Sequence, residues 1–264
     1  MVEPDFSESQ LQQLANTEIF NLLRARGIRN SIPRLISLIR ENDLGWDTGF
    51  NIPWFGRNID DQYGCNFFIQ YKLSNIYSTR GAYGWDAWQR SFYRFNLGYQ
   101  RNREWDFSQR NHLIDLANAG FSVVYITNHV LRFNDLASIA VREGLCSDLP
   151  VLIVDDELSQ HQKVSFTSNS RQFALHSDEK HNKKVNVNST LFEIKTSILS
   201  QDVDKILDIL IHYEQTIGIK AGTIEEHIKT YPNEVLDWAR FYTAGYFLKR
   251  YLNLLWIRYE SDKE

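Results

Sequence analysis

Residues 45–50 read Gly45-Trp46-Asp47-Thr48-Gly49-Phe50, and residues 65–72 read Cys65-Asn66-Phe67-Phe68-Ile69-Gln70-Tyr71-Lys72; the fold is decided between them. The second run has the length and apolar content of a short strand. Successive side chains of a strand point to opposite faces, so Gln70 and Lys72 share one face and Ile69 and Tyr71 the other. An acidic residue about two dozen positions upstream, on a neighbouring strand or its edge, sets a carboxylate beside the Gln70 amide and the Lys72 ammonium. Asp47 is that residue. Carboxylate, amide and ammonium together describe a place for a metal ion and a water. The competing reading makes Asp47 a turn residue beside Thr48-Gly49 and leaves Gln70 and Lys72 on the solvated face of an edge strand.

Working outward, the apolar spacing of Leu11, Leu14, Ile19, Leu22 and Leu23 predicts a helix over residues 8–26. A second helical run is expected at residues 32–39, with Pro33 in its first turn. Strands are expected at residues 65–73 and 91–99. A helix then follows, with Ser108 as its cap and Gly120 as its end. The continuous apolar run Phe121-Ser122-Val123-Val124-Tyr125-Ile126-Thr127 suits a buried central strand, and residues 133–144 an amphipathic helix. A strand near residues 149–158, a hairpin over residues 161–177, an exposed polar loop at residues 177–188 and a strand at residues 190–198 complete this part. The order predicts an α/β fold with a mixed central sheet flanked by helices, over residues 1–200. Residues 201–264 are expected to form a helical C-terminal module. Its long helix from Asn233 carries Trp238, Phe241, Tyr242, Phe247, Tyr251 and Trp256 and is buried in that module or against a partner.

Residues 30–130, with Asp47 followed by Gln70-Tyr71-Lys72, resemble the PD-(D/E)xK nuclease superfamily. That core places an Asp at the start of one strand and Glu-x-Lys, or in variants Gln-x-Lys, on the next. The resemblance implies a restriction-endonuclease-like core and metal-dependent hydrolysis of DNA or RNA, with a restriction or phage-defence role by association. It implies that Asp47 and Gln70 ligate Mg²⁺ or Mn²⁺, that Glu41 upstream assists, and that Lys72 orients the attacking water. It further implies that Gln109, on the helix after the motif, reaches toward the site; the plainer reading leaves Gln109 facing solvent at a helix start. Gln in place of Glu at position 70 departs from the commoner pattern and weakens metal affinity. The alternative function is a non-catalytic nucleic-acid-binding or assembly subunit that keeps the fold after losing the metal site.

The stretch of residues 83–110 interleaves Trp85, Trp88, Tyr93 and Trp105 with Arg90, Arg94, Arg101, Arg103 and Arg110. Aromatic faces stack bases and guanidinium groups hold phosphates, so these arginines are the candidate nucleic-acid contacts. The alternative makes the rings core and the arginines a cover for a sheet. The whole chain has a formal net charge of −4 over 264 residues, which excludes a global basic field; any nucleic-acid contact is local. His161, His176 and His181 follow no zinc spacing and are expected in a solvated loop. No phosphate-cradling glycine loop, Gly-x-Ser-x-Gly elbow or Cys-His nucleophile pair is present in the sequence. Two distant cysteines, Cys65 and Cys146, read as reduced thiols, and the sequence shows neither a signal-peptide pattern nor a membrane-spanning run. A cytoplasmic protein is expected, with a second copy or a protein partner docked through the C-terminal helices.

Overall fold

The computed structural model describes residues 1–25, 33–35, 46–55, 62–101, 104–118, 121–168, 172–177, 180–183 and 222–232, and shorter pieces between 207 and 247. The fold is mixed α/β. Helix α1 (Glu8–Ala25) opens with a reciprocal cap: the Ser7 hydroxyl accepts from the Gln10 N–H (3.2 Å) and the Gln10 side-chain carbonyl accepts from the Ser7 N–H (2.8 Å). Next come β1 (Arg34–Leu35), β2 (Thr48–Phe55), β3 (Gln62–Lys72) and β4 (Asn75–Tyr77). A single turn α2 (Trp85–Trp88) leads to β5 (Phe92–Asn96) and the small hairpin β6 (Tyr99–Arg101) and β7 (Glu104–Asp106). Then follow α3 (Ser108–Asn118), β8 (Ser122–Thr127), α4 (Phe133–Val141), α5 (Leu145–Asp148) and β9 (Val151–Ile153). A 3₁₀ turn (Asp156–Gln160), β10 (Lys163–Phe166), β11 (Gln172–His176), β12 (Lys180–Lys183) and α6 (Thr223–Ile228) complete the described elements.

The central sheet has the order β1-β2-β3-β8-β9. Only the β3–β8 pair is parallel, with Phe67 opposite Ser122, Gln70 opposite Tyr125 and Lys72 opposite Thr127. A parallel pair needs a long crossover, and this one contains β4 to β7 and α3. The second sheet, β12-β11-β10-β5-β4, is antiparallel throughout. Both faces of β3 are covered where the apolar Phe67, Phe68 and Ile69 follow one another. On one face Phe67, Ile69, Tyr71, Val124 and Ile126 pack against Leu11, Ala15 and Ile19 of α1 and Leu136 and Ile139 of α4. On the other, Phe68, Val123 and Tyr125 meet Leu113 and Leu116 of α3 and Phe95, Val164, Phe166 and Phe173 of the second sheet. Each such side chain stabilises the fold by about 1.5–3 kcal/mol. Leu207, Leu210, Ile224, Ala244 and Phe247 belong to this second core, so the described residues beyond position 200 pack with the α/β body.

Polar links fasten α1 to the sheet. The Tyr71 hydroxyl donates to Asn16 Oδ1 (2.8 Å), and the Asn16 and Gln12 amides donate to Thr48 Oγ1 (2.9 and 3.0 Å). The Glu18 carboxylate accepts from the N–H groups of Leu145 (2.9 Å) and Cys146 (2.8 Å), capping α5.

Three local expectations are corrected. Arg34 and Leu35 are not helical; they pair with Gly49 and Thr48, so β-pairing overrides the Pro33 signal, and the rest of residues 32–39 lies outside the described residues. The first turn of α3 is capped by Asp106, whose Oδ1 accepts the Ser108 N–H (2.9 Å), and not by the Ser108 side chain. The polar segment after Ser177 includes β12, which needs no apolar pattern because it is the edge of its sheet. Gly120 and the strand expected at residues 190–198 lie outside the described residues.

Candidate functional site

Asp47 enters β2 with its N–H on the Ile69 carbonyl (3.0 Å), which sets its side chain against the end of β3. Its Oδ2 accepts the Tyr71 backbone N–H (2.7 Å) and the Gln70 amide (2.8 Å). A carboxylate only accepts, so Gln70 turns its NH₂ toward Asp47. The Gln70 carbonyl then accepts from the Gln109 amide on α3 (3.1 Å). Asp47, Gln70 and Gln109 are therefore one hydrogen-bonded chain across two strands and a helix. They are 7%, 0% and 2% exposed, which excludes both a solvated strand face and a solvent-facing Gln109. The strand β3 is interior to its sheet, not an edge.

Lys72, 7% exposed, lies two residues along the same face. Its Nζ donates to the Tyr99 hydroxyl (2.8 Å) and sits 4.6 Å from the centre of that ring. Burial pulls its pKa down, but Glu8, Tyr99 and Asp47 together outweigh burial and raise it above the ordinary lysine value. Lys72 is thus a fixed cation at neutral pH. Gly98 allows the close return of the β6–β7 hairpin beside it, because a Cβ there would meet Phe107 at 2.5 Å and the Asp106 carbonyl at 2.6 Å.

Tyr125 occupies the position opposite Gln70 on β8, with its side chain on the same face. Burial pushes its phenol well above the usual tyrosine range; Arg110 opposes this, and Tyr99 and Asp47 add to it. Its hydroxyl is buried and has no hydrogen-bond partner among the described residues, and the same holds for the indole N–H of Trp46, the residue before Asp47.

Of the other residues singled out in the sequence, Glu41 and Arg103 lie outside the described residues, and Arg101 is described only by its place in β6. Arg94 donates to the Tyr83 carbonyl (2.6 Å) and lies 3.8 Å over the Tyr77 ring. Arg90 donates to Thr167 Oγ1 (3.0 Å). Arg110 is buried, stacks on Phe107 (4.3 Å) and donates to the His161 carbonyl (2.6 Å); burial lowers its pKa. The interleaved aromatics are also engaged: Trp88 Nε1 donates to Ser165 Oγ (2.7 Å), Tyr93 stacks on Phe166 and Trp105 on Phe107. His161 and His176 are buried rather than solvated, and His176 Nε2 is 2.6 Å from Ser165 Oγ. His181 is described only by its place in β12.

Glu8, Tyr99 and Tyr125 escape sequence reasoning. Glu8 precedes Asp47 by 39 positions and carries no local signal. Tyr125 becomes legible only once β8 is known to pair with β3 with Gln70 opposite it.

Among the described residues no group of three or more His, Cys, Asp or Glu side chains is placed to hold a metal ion. Mg²⁺, however, is commonly held by one or two carboxylates with waters and substrate phosphates completing its shell. Asp47 supplies one such carboxylate. Gln70 supplies a second oxygen only if its amide turns over, because its NH₂ now faces Asp47. The donor set fits a divalent ion on that condition. Comparisons with known protein families, with curated proteins and with solved structures return no match.

Proposed function

We propose that this chain is a divalent-metal-dependent phosphodiesterase acting on nucleic acid, with a PD-(D/E)xK-like site built from Asp47, Gln70 and Lys72. The observation that carries the reading is the convergence of Asp47 with Gln70 across adjacent strands, with Lys72 on the same face and Gln109 on Gln70. The order of parts supports it too: an Asp entering one strand, Gln-x-Lys on the antiparallel neighbour, then a helix and a strand parallel to the second. A restriction or defence role is an extension by association with that resemblance; a cytoplasmic setting and assembly through the C-terminal helices are extensions of the cysteine and apolar-helix readings of the sequence.

In the reaction a water oxygen bonds to phosphorus, the bond from phosphorus to one sugar oxygen breaks, and the water's proton passes to solvent while the leaving oxygen gains one. Asp47 and Gln70 would hold the Mg²⁺ or Mn²⁺, which supplies Lewis-acid stabilisation and a more acidic bound water. Lys72 stays protonated, so it steadies negative charge on the phosphoryl oxygens rather than acting as a base. Tyr99 hydrogen-bonds Lys72, and substrate entry requires that contact to give way. Gln109 holds the Gln70 amide in the orientation seen without the ion and would rearrange with it when the ion binds.

One observation favours the second reading, a non-catalytic binding or assembly subunit. Asp47, Gln70 and Gln109 are hydrogen-bonded in series without a metal, as a structural cross-link would be. Incubating the protein with end-labelled duplex and single-stranded DNA and RNA, in Mg²⁺, Mn²⁺ or EDTA, separates the two. Metal-dependent cleavage of any of these supports the enzyme. Intact substrates throughout, with a folded protein, favour the subunit.

A further inference from the structure

We propose that the Tyr125 hydroxyl is a further substrate-facing group of this site, donating a hydrogen bond to a phosphoryl oxygen of the nucleic acid bound beside Asp47, Gln70 and Lys72. The inference rests on the phosphodiesterase reading and adds a residue that the Asp and Gln-x-Lys pattern does not contain.

Three observations carry it. Tyr125 stands opposite Gln70 in the parallel β3–β8 register and on the same face, so its ring leaves the sheet beside the Gln70 amide. Arg110, Tyr99 and Asp47 all lie within electrostatic reach of its hydroxyl; two of these also act on or flank Lys72. The hydroxyl is fully buried and has no hydrogen-bond partner among the described residues. A buried phenol left without a partner is destabilising, and buried tyrosine hydroxyls usually find one. Phenylalanine fills the same space at no such cost. A buried hydroxyl that the described residues leave unused points to a partner that arrives with the ligand.

The chemistry suits the role. A phenol is protonated at working pH even at its ordinary pKa, so the hydroxyl is a neutral donor. A pre-placed neutral donor aimed at an oxygen that gains charge in the transition state stabilises that state more than the ground state, and loss of one such donor commonly slows a reaction by about 10²–10³. With Lys72 it gives the phosphoryl group two donors, one charged and one neutral.

The test compares wild type, Tyr125→Phe and Lys72→Ala in single-turnover cleavage of whichever labelled oligonucleotide the wild type cuts, with binding measured in Ca²⁺ and melting temperature measured without ligand. Tyr125→Phe is expected to cleave at least tenfold more slowly, to bind the oligonucleotide within a few-fold of wild type, and to melt at or above the wild-type temperature. Cleavage at the wild-type rate overturns the assignment of Tyr125 alone. A clearly lowered melting temperature also overturns it, because the hydroxyl is then holding the fold. No cleavage by wild type under any metal removes the phosphodiesterase reading and this inference with it.

Discussion

Gln70→Glu probes the contact on which the site depends. The Gln70 amide lies 2.8 Å from Asp47 Oδ2, so the substitution sets two carboxylates face to face in a buried place. Two unit charges at that distance repel by about 6 kcal/mol at an effective dielectric of 20. Holding a proton on a glutamate of ordinary pKa near 4.3 costs only about 3.7 kcal/mol at pH 7. Proton uptake is the smaller cost, so the pair binds one shared proton and titrates as a unit. The folded pKa of the pair is raised above the unfolded value. The penalty is therefore absent below about pH 4 and grows by about 1.4 kcal/mol per pH unit until the folded pKa is reached. For a chain of this size each kcal/mol lowers the melting temperature by roughly 2–4 °C, which gives a deficit of roughly 8–15 °C at pH 7 and almost none at pH 4. Calorimetry of both proteins from pH 4 to pH 8 reads this directly. Divalent ions should then recover more of the variant's melting temperature than of the wild type's, since a second carboxylate strengthens the site. A deficit that does not change with pH, or no deficit, refutes the Asp47–Gln70 contact and the argument built on it.

Asp47→Ala strands the Tyr71 N–H and the Gln70 amide, and should lower stability by roughly 2–4 kcal/mol in urea titration, with loss of any cleavage; a variant as stable as wild type contradicts the buried placement. Glu18→Gln leaves one of the Leu145 and Cys146 N–H groups without its carboxylate and should cost roughly 1–3 kcal/mol, read from the same titration. At alkaline pH, Tyr71 and Tyr125 stay protonated in the fold while unfolded tyrosines ionise above about pH 10, and Lys72 loses its favourable charge through its raised pKa; stability should fall above about pH 10. Tyr71→Phe should make that fall shallower, and an unchanged slope would remove burial of Tyr71 as its cause. Titration with Mg²⁺ should shift the Gln70 and Gln109 side-chain NH₂ signals together as the Gln70 amide turns over; signals that stay fixed while metal binds place the ion elsewhere.

Strand alternation in residues 65–72 was enough to put Gln70 and Lys72 on one face; that this face is covered as well was not legible, since Asn66, Gln70 and Lys72 share it with Phe68 alone. Asp47 was legible as a neighbour through the Asp and Gln-x-Lys pattern; strand β2 itself, antiparallel to β3, was not among the strands expected. Tyr125 and Glu8 were not legible, since their approach depends on a parallel pairing and a helix position that no local pattern encodes. The arginine and aromatic stretch reads two ways for a physical reason: a guanidinium over a ring looks the same in sequence whether the ring holds a base or, as with Arg94 over Tyr77 and Arg110 over Phe107, belongs to the fold's own packing. His161 and His176 sit in polar sequence yet are buried, because β10 and β11 pair and bring His176 onto Ser165.

The central claim is that Lys72, beside the Asp47–Gln70 pair, serves phosphodiester hydrolysis. Its most direct test is single-turnover cleavage of labelled nucleic acid in Mn²⁺ by wild type and by Lys72→Met, which keeps the length of the side chain and removes its charge. The account predicts cleavage by wild type that EDTA abolishes, and a loss of at least a hundredfold in a Lys72→Met protein that is still folded. Equal rates in the two proteins, or no cleavage by a folded wild type on any DNA or RNA substrate, would contradict it.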